Sequence, residues 1–196
     1  MIDTTNLPEW HSLTWPAWRE IRSLVQPVTE PVWVDEYLAR DAAEWANTHR
    51  GIVWYDHSAF GKMVSKLSGL PMHGGGPEAP ARLLGGEHNG IKYPGEDGSR
   101  SIICSIKSHG TGRDGLQFLF NEQLVANPMS SATGWEQLLG RLHRIGQPND
   151  IVRTWFYRHT EDLDRHVGQA LNRALYVQST LGSSQKLRLG FGLRSE

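Results

Sequence analysis

Four short runs of strand type, separated by stretches with helical periodicity, place the strongest constraint on how this chain folds. Their apolar residues are consecutive, with no regular alternation with polar ones, and the runs lie at residues 51–55, 101–106, 123–127 and 150–157. Strands of this composition are typical of a sheet that is covered on both faces, as parallel sheets are. We therefore expect the runs to form one central sheet.

Helical patterns lie between these runs. Apolar residues recur at helical spacing within residues 35–49 and 58–67, and residues 80–89 can form a short helix. Thr160 can cap a further helix, because acidic residues fill the first turn after it and apolar residues then recur at i, i+4 and i+8. The alternation of strand and helix predicts an α/β domain with a mostly parallel central sheet flanked by helices.

Tryptophan and proline dominate the start of the chain, where Trp10, Trp15, Trp18 and Trp33 lie among four prolines. Prolines interrupt long helices, and the indole rings leave large apolar surfaces to be buried. We interpret residues 1–34 as an arm that either folds back on its own domain or docks on a partner. Residues 35–178 are the predicted domain, and the Gly- and Ser-rich residues 179–196 are predicted to be a flexible basic tail.

The charge is distributed unevenly along the chain. The formal net charge is only −1, so bulk attraction to nucleic acid is not expected. However, residues 1–100 carry 9 basic against 13 acidic side chains, whereas residues 101–196 carry 11 against 8. We expect any anionic ligand to be bound by the second half.

Hydropathy and cysteine content restrict the class of protein. No run reaches the ~20 apolar residues needed to cross a bilayer, and the acidic start has no signal-peptide pattern. We therefore expect a soluble cytoplasmic protein without a membrane partner. The single cysteine, Cys104, lies in an apolar run, so we interpret it as a small buried hydrophobe. It excludes an intramolecular disulfide and a Cys-cluster zinc site, and no metal ligands are predicted.

Two glycine-rich turns suggest contact with anions. Residues 74–76 are three consecutive glycines, but no Gly-Lys-Ser/Thr sequence follows, so a flexible turn is the better interpretation. Residues 107–117 place small, hydroxyl and basic residues directly after a strand. A polar turn between a strand and a helix exposes backbone N–H groups, which is the geometry of an anion-binding site.

Residues 134–147 form the most distinctive stretch of the chain. Read as one helix, this stretch puts Trp135, Leu138, Leu139 and Leu142 on one side and Gln137, Arg141 and Arg144 on the other. Gly140 lies beside the polar side chains. A helical glycine costs roughly 1 kcal/mol relative to alanine, but it lets another molecule approach the backbone closely.

The pattern from Gln137 to Gln147 resembles motif VI of superfamily 2 helicases, most closely the Swi/Snf-like branch and its phage relatives. The resemblance implies the second of two RecA-like (P-loop NTPase-like) lobes, whose motif VI arginines reach the phosphates of ATP held by the first lobe. It therefore implies a catalytic role for Arg141 and Arg144. The nucleotide-binding residues that it implies are Gln137, Gly140, Gly112 and Asp114.

The turns after two strands resemble motifs IV and V of the same family, which lie near the nucleic-acid channel. Motif IV corresponds to the turn containing His57 and Ser58, although a histidine in a polar turn is often merely solvated. Motif V corresponds to the turn that begins at Lys107. The resemblance implies nucleic-acid contacts by His57, Ser58, Lys107, Ser108 and Thr111.

Neither a Walker A sequence nor an Asp-Glu-x-His box occurs in the chain. Our first hypothesis is therefore a helicase C-terminal lobe that completes a nucleic-acid-dependent ATPase or translocase with a separate Walker-A lobe. ATP and Mg²⁺ would be bound only in that assembly, and we expect no tightly bound cofactor. The chain alone is not expected to hydrolyse ATP. The alternative is a non-catalytic module that binds nucleic acid, DNA or RNA, or a cellular helicase.

Overall fold

The computed structural model describes residues 15–25, 30–110 and 114–192, and the chain divides into two compact units, Met1–Val34 and Asp35–Glu196. The smaller unit contains helix α1 (Trp15–Ile21). No residue of α1 is buried, and Trp15, Trp18 and Ile21 are all exposed. Trp10 lies outside the described residues.

The larger unit alternates strands and helices over most of its length. Its first elements are α2 (Tyr37–Thr48), β1 (Ile52–Tyr55), α3 (Ser58–Ser68), β2 (Met72–His73), α4 (Ala79–Leu84), β3 (Gly86–His88) and β4 (Ile91–Tyr93). They are followed by β5 (Ile102–Ser105), α5 (Ile106–His109), α6 (Leu116–Leu119), β6 (Glu122–Val125), α7 (Ala132–Leu139), β7 (Arg153–Phe156), α8 (Glu161–Leu181) and α9 (Lys186–Gly192).

Five strands form a parallel sheet in the order β2-β5-β1-β6-β7. Helices cover it on both sides, so the predicted α/β class with a parallel central sheet is confirmed, and the architecture is consistent with a RecA-like fold. Strands β3 and β4 form a separate antiparallel hairpin.

Alternate residues of each central strand enter two separate apolar cores. Ile52 and Trp54 of β1 pack with side chains from α6, α7, α8 and α9 on one face of the sheet. Val53 and Tyr55 pack with α2 and α3 on the other face. Cys104 is fully buried in the first core, as predicted, and burial raises the pKa of its thiol well above the ordinary value. It is therefore a packing residue, not a reactive one.

A buried amide connects three neighbouring strands. The Gln123 side chain in β6 is fully buried, and its Oε1 accepts a hydrogen bond from Trp54 Nε1 at 2.8 Å. Its Nε2 donates to Thr154 Oγ1 in β7 at 2.9 Å. The amide thereby satisfies the one polar atom that Trp54 brings into the core, and it fixes the registers of β1, β6 and β7 relative to one another.

Two predicted helices are shorter than their periodicity suggests. The predicted helix at 80–89 is α4, which ends at Leu84 because Gly85 adopts φ 79°, and the chain then enters the β3–β4 hairpin. The predicted helix at 134–147 is α7, which ends at Leu139. Successive turns and bends replace it over residues 140–146, so the helical spacing assumed for Arg144 was wrong.

The C-terminal segment differs from the flexible tail that we expected. Residues 186–192 form α9, and Leu187 is buried in the core against α7 and α8. Glu136 of α7 holds the start of this helix, because its carboxylate accepts from the backbone N and the Nζ of Lys186, at 2.7 and 2.5 Å. An apolar contact and a charged cap therefore order a sequence whose composition suggested flexibility.

Helix α8 is 21 residues long and starts as predicted, with the Thr160 hydroxyl accepting from Leu163 N at 3.3 Å. Within residues 15–25, 30–110 and 114–192, neither α8 nor any other helix has both the length and the apolar character needed to cross a bilayer.

We predict that Gln123→Met destabilises the fold by about 1–3 kcal/mol, because it leaves the buried Trp54 N–H without an acceptor while nearly preserving side-chain volume. Urea unfolding followed by fluorescence measures this difference. Gln169→Met, at an exposed position of α8, is the matched control and should change the free energy of unfolding by less than about 0.5 kcal/mol. Equal unfolding midpoints for the two variants would contradict the role given to Gln123.

Candidate functional site

The carboxyl ends of β1 and β5 lie side by side in the sheet. The two strands are neighbours, with Tyr55 and Ser105 in register at their ends. The chain after β1 enters α3, which packs on one face, whereas the chain after β5 leads to α6, which packs on the other. Neighbouring parallel strands whose connections leave on opposite faces create a switch point, where α/β proteins commonly bind ligands.

Polar residues follow these strand ends and that of β6, and we call them the strand-end cluster: Asp56, His57, Ser58, Lys107, Ser108 and Asn127. Lys107 Nζ lies 3.2 Å from Asp56 Oδ1, which joins the turn after β1 to α5, the short helix that replaces the predicted turn at Lys107 and Ser108. Asn127, just after β6, accepts from the backbone N of Asp56 through Oδ1 at 3.1 Å. Three adjacent strand ends are therefore linked by two polar contacts.

The predicted nucleic-acid contacts in this cluster differ in exposure. Lys107 is 74% exposed at its side chain, and His57 and Ser58 are exposed at the start of α3. The side chain of His57 makes no capping hydrogen bond. Ser108 is half-buried and donates to Ser105 Oγ at 3.4 Å. Thr111 lies outside the described residues.

The triple-glycine turn lies beside the strand-end cluster and is tied to α5. The buried ring of His109 is hydrogen-bonded through Nε2 to the carbonyl of Gly74 at 2.8 Å. A Cβ added at Gly75 would lie 3.0 Å from Ser108 Oγ. These contacts give the turn a defined position, which differs from the flexible turn that we predicted.

A second group of charged residues, which we call the arginine cluster, consists of Asp114, Arg141 and Arg144. Arg144 Nη1 lies 3.1 Å from Asp114 Oδ1. A hydrogen bond from the Gln117 side chain, aided by the charge of Arg144, lowers the pKa of Asp114 despite opposing desolvation. Desolvation and the like charge of Arg144 lower the pKa of Arg141. The negative charge of Asp114 raises it and offsets part of this lowering. The cluster therefore brings two cations and one anion together.

One buried leucine, one glutamine side chain and one glycine fix the turn that carries both arginines. Leu142 lies between them in sequence and is fully buried. Gln147 Nε2 donates to the carbonyls of Phe120 and Leu142, at 2.9 and 3.2 Å. Gly146 adopts φ 91°, and a Cβ there would lie 2.9 Å from the Phe118 ring, so a side chain at this position would strain the backbone. The turn is thus anchored next to the residues that precede β6.

Helix α7 supports this turn from the other side. Trp135 is fully buried, donates to the Met129 carbonyl at 2.7 Å and contacts the ring of Phe156 edge-on. Leu138 is also fully buried. The apolar side predicted for this stretch therefore packs into the core, with Leu139 only partly buried.

The remaining predicted nucleotide-binding residues lie around the end of α7. Gln137 is exposed, and its backbone carbonyl accepts from Arg141 Nε at 3.3 Å. Gly140 caps the helix and is not an internal helical residue, so the mid-helix position expected for this glycine was wrong. Gly112 lies outside the described residues.

An open cleft of about 430 Å³ adjoins the arginine cluster, with Arg144, His143, Gln147 and Lys186 among its lining residues. Each of the two cations has a carboxylate partner, Glu136 for Lys186 and Asp114 for Arg144, and Asp150 adds an acidic side chain to the lining. In the part of the chain that the structure describes, no three His, Cys, Asp or Glu side chains are grouped to hold a metal ion.

The two clusters occupy different ends of the strands. The strand-end cluster follows the carboxyl ends of β1 and β5, whereas the arginine-bearing turn is bonded to Phe120, just before the amino end of β6. The structure therefore brings the predicted nucleic-acid contacts together in one place and Asp114, Arg141 and Arg144 in another. Asn127 was not predicted as part of either cluster, whereas Gln147 belonged to the motif VI pattern and Gln117 to the polar turn at 107–117, but neither glutamine was assigned a role in a site.

No protein-family model matches the chain, and no curated protein has a matching sequence. The assignment of function therefore depends on the geometry and chemistry of the two clusters.

We predict that Asn127→Ala accelerates hydrogen exchange of the Asp56 amide and lowers stability by about 0.5–1.5 kcal/mol, the usual contribution of one hydrogen bond. NMR-detected exchange measures the local effect and urea unfolding the global one. Asn172→Ala, at an exposed position of α8, is the control and should leave the Asp56 amide unchanged. An unchanged Asp56 exchange rate in Asn127→Ala would show that Asn127 does not hold the turn after β1.

Proposed function

We propose that this chain is the second lobe of a nucleic-acid-dependent ATPase or translocase, and that a separate Walker-A lobe completes it. The observation that carries the proposal is the arginine cluster. Two arginines lie on one turn that is anchored by Leu142, Gln147 and Gly146, and Asp114 contacts one of them, Arg144. The resemblance of this stretch to motif VI of superfamily 2 helicases supports the same assignment.

The chemistry of arginine suits the proposed role of Arg141 and Arg144. Phosphoryl transfer depends on positioning and on neutralising charge at the transferring phosphate, and arginines supplied from another lobe contribute to both. A planar guanidinium can bridge two phosphate oxygens, which a lysine ammonium cannot do. Because the chain lacks a Walker A sequence, ATP and Mg²⁺ would be held chiefly by the partner lobe.

The strand-end cluster is the proposed nucleic-acid site. It lies at the switch point of the sheet and combines an exposed cation, Lys107, with exposed His57 and Ser58. These groups suit contact with phosphate oxygens, so we propose binding to DNA, or to RNA, without sequence preference. The protein would act in the cytoplasm, which is that of the host cell if the chain is phage-encoded.

A non-catalytic binding module is the second candidate, and α1 favours it. That helix exposes Trp15, Trp18 and Ile21 and buries none of its residues, which suits attachment to a partner protein such as a helicase. This candidate gives the arginine cluster no chemical task. Hydrolysis experiments on Arg144 therefore separate the two candidates.

We predict weak binding of the chain to single-stranded DNA, with affinity that falls steeply as salt is added. Lys107→Ala should weaken binding several-fold and reduce the slope of log affinity against log salt by about 1, the effect of losing one phosphate contact. Fluorescence anisotropy with oligonucleotides of different sequence measures both quantities. Lys66→Ala, at an exposed lysine near the opposite end of α3, is the control. Equal slopes for the two variants would place the DNA contact elsewhere.

We predict that the chain alone gives no ATP turnover, and that mixing it with its cognate Walker-A lobe creates or strongly raises hydrolysis. Arg144→Ala should remove most of that gain, because arginine fingers contribute on the order of 10³–10⁵ in rate. Arg144→Lys should restore little. Phosphate release at saturating protein, with and without DNA, provides the measurement.

The control for this experiment is Arg165→Ala, which removes an exposed arginine of α8 that pairs with Asp162. It should hydrolyse ATP like the wild type. Equal rates for Arg144→Ala and wild type would support the binding-module candidate. Steady Mg²⁺-dependent turnover by the pure chain would contradict the need for a second lobe.

A further inference from the structure

Gln117 is a polar residue that the proposed mechanism does not yet use. It lies in α6, its residue is only 3% exposed, and both ends of its amide are engaged. Oε1 accepts from the backbone N of Gly115 at 2.9 Å, and Nε2 donates to Asp114 Oδ1 at 2.9 Å. Both ends of this buried amide bind the same short turn, that of Asp114 and Gly115, and so fix its shape.

The same oxygen of Asp114 is the contact point for Arg144. Oδ1 accepts from Gln117 Nε2 and from Gly115 N at 3.2 Å, and it lies 3.1 Å from Arg144 Nη1. The Asp114 side chain is 71% exposed, so packing does little to hold it. Its position therefore depends on Gln117 and on the backbone of Gly115, which adopts φ 113°.

We propose that Gln117 is a positioning residue for Arg144, acting through Asp114, and that Asp114 supports this arginine instead of binding the nucleotide. The inference rests on the proposed function, in which Arg144 acts on phosphate. The contacts form one path from a buried amide, through a fixed carboxylate, to an exposed guanidinium.

Charge also favours this assignment over direct nucleotide binding by Asp114. A carboxylate that faced a triphosphate would repel it, whereas a carboxylate paired with Arg144 orients the cation and leaves its remaining N–H groups available for phosphate oxygens. Holding a long side chain in place before the ligand arrives reduces the rotamer entropy lost on binding. The low pKa of Asp114 fits a carboxylate that stays ionised beside its arginine.

NMR on the full chain tests the inference without ATP or a partner lobe. The two readouts are the pKa of Asp114, from ¹³C-detected titration, and the Nε–Hε signal of Arg144, assigned with Arg144→Lys. In Gln117→Met, the pKa of Asp114 should rise toward that of an ordinary aspartate, and the Arg144 signal should move toward the position of a freely rotating arginine. Asp97, whose pKa is lowered by hydrogen bonds from Ser99, is the internal reference and should not change.

Gln169→Met is the matched control and should leave both readouts as in the wild type. A folded Gln117→Met protein with unchanged Asp114 and Arg144 signals would overturn the inference. If Gln117→Met does not fold, Asp114→Ala tests the inference instead. This variant should shift both the side-chain NH₂ signals of Gln117 and the Nε–Hε signal of Arg144. A shift of only one of them, or of neither, would also overturn it.

The inference and the proposed function fail in different experiments. If the Asp114 pKa and the Arg144 signal do not respond to Gln117→Met, the positioning role of Gln117 is wrong, while hydrolysis by the mixed lobes is unaffected by that result. Conversely, hydrolysis that is independent of Arg144 would remove the catalytic role while the contacts among Gln117, Asp114 and Arg144 persisted.

Discussion

The alignment of the central strands is the constraint on which the rest of the structure depends, and the Gln123 amide is its polar component. A slip of one residue between β6 and either neighbour would turn every side chain of the shifted strand to the wrong face and leave the Trp54 N–H buried without an acceptor. Because the strands are held in this register, their carboxyl ends finish level with one another. That alignment brings Asp56, Lys107 and Asn127 into contact, so the strand-end cluster is a consequence of core packing.

The arginine cluster depends on the opposite ends of the same elements. Helix α7 returns along the sheet from the carboxyl end of β6, and its buried Trp135 and Leu138 determine where the following turn lies. The last helix, α9, is attached to α7 through Glu136 and contributes Leu187 and Phe191 to the same core. The C-terminal segment therefore helps to hold the helix that precedes the turn with both arginines.

The α/β class and most strands could be predicted from the sequence, because consecutive apolar residues and helical spacing are local signals. The positions of Arg141 and Arg144 in the sequence could be identified from the motif, but the backbone conformation that carries them could not be predicted. Leu142 continues the apolar spacing beyond Gly140, and it is indeed buried, yet a series of turns buries it without a helix. The hydrogen bonds of Gln147 and the positive φ of Gly146 stabilise these turns, and apolar periodicity in the sequence reveals neither of them.

Contacts between distant segments were the part that could not be predicted. Asp56 and Lys107 are 51 residues apart, and only the strand order brings the turn after β1 next to α5. Asp114 and Arg144 are likewise joined by folding and not by spacing along the chain. The tail was misjudged for a related reason. Its composition suggests flexibility, but Leu187 and the cap from Glu136 stabilise it through long-range contacts.

The central position of β1 also affects the order in which the sheet can form during synthesis. Its two partners, β5 and β6, lie 50 and 71 residues later in the chain, as the pairs Ile52–Ile102 and Ile52–Gln123 show. Until the ribosome has released those segments, the most apolar strand has both edges unpaired. Parallel pairing over such separations is slow, and exposed strand edges promote aggregation in the interval. Nascent chains of this protein thus depend on α2 and α3 to shield one face of β1 before its neighbours arrive.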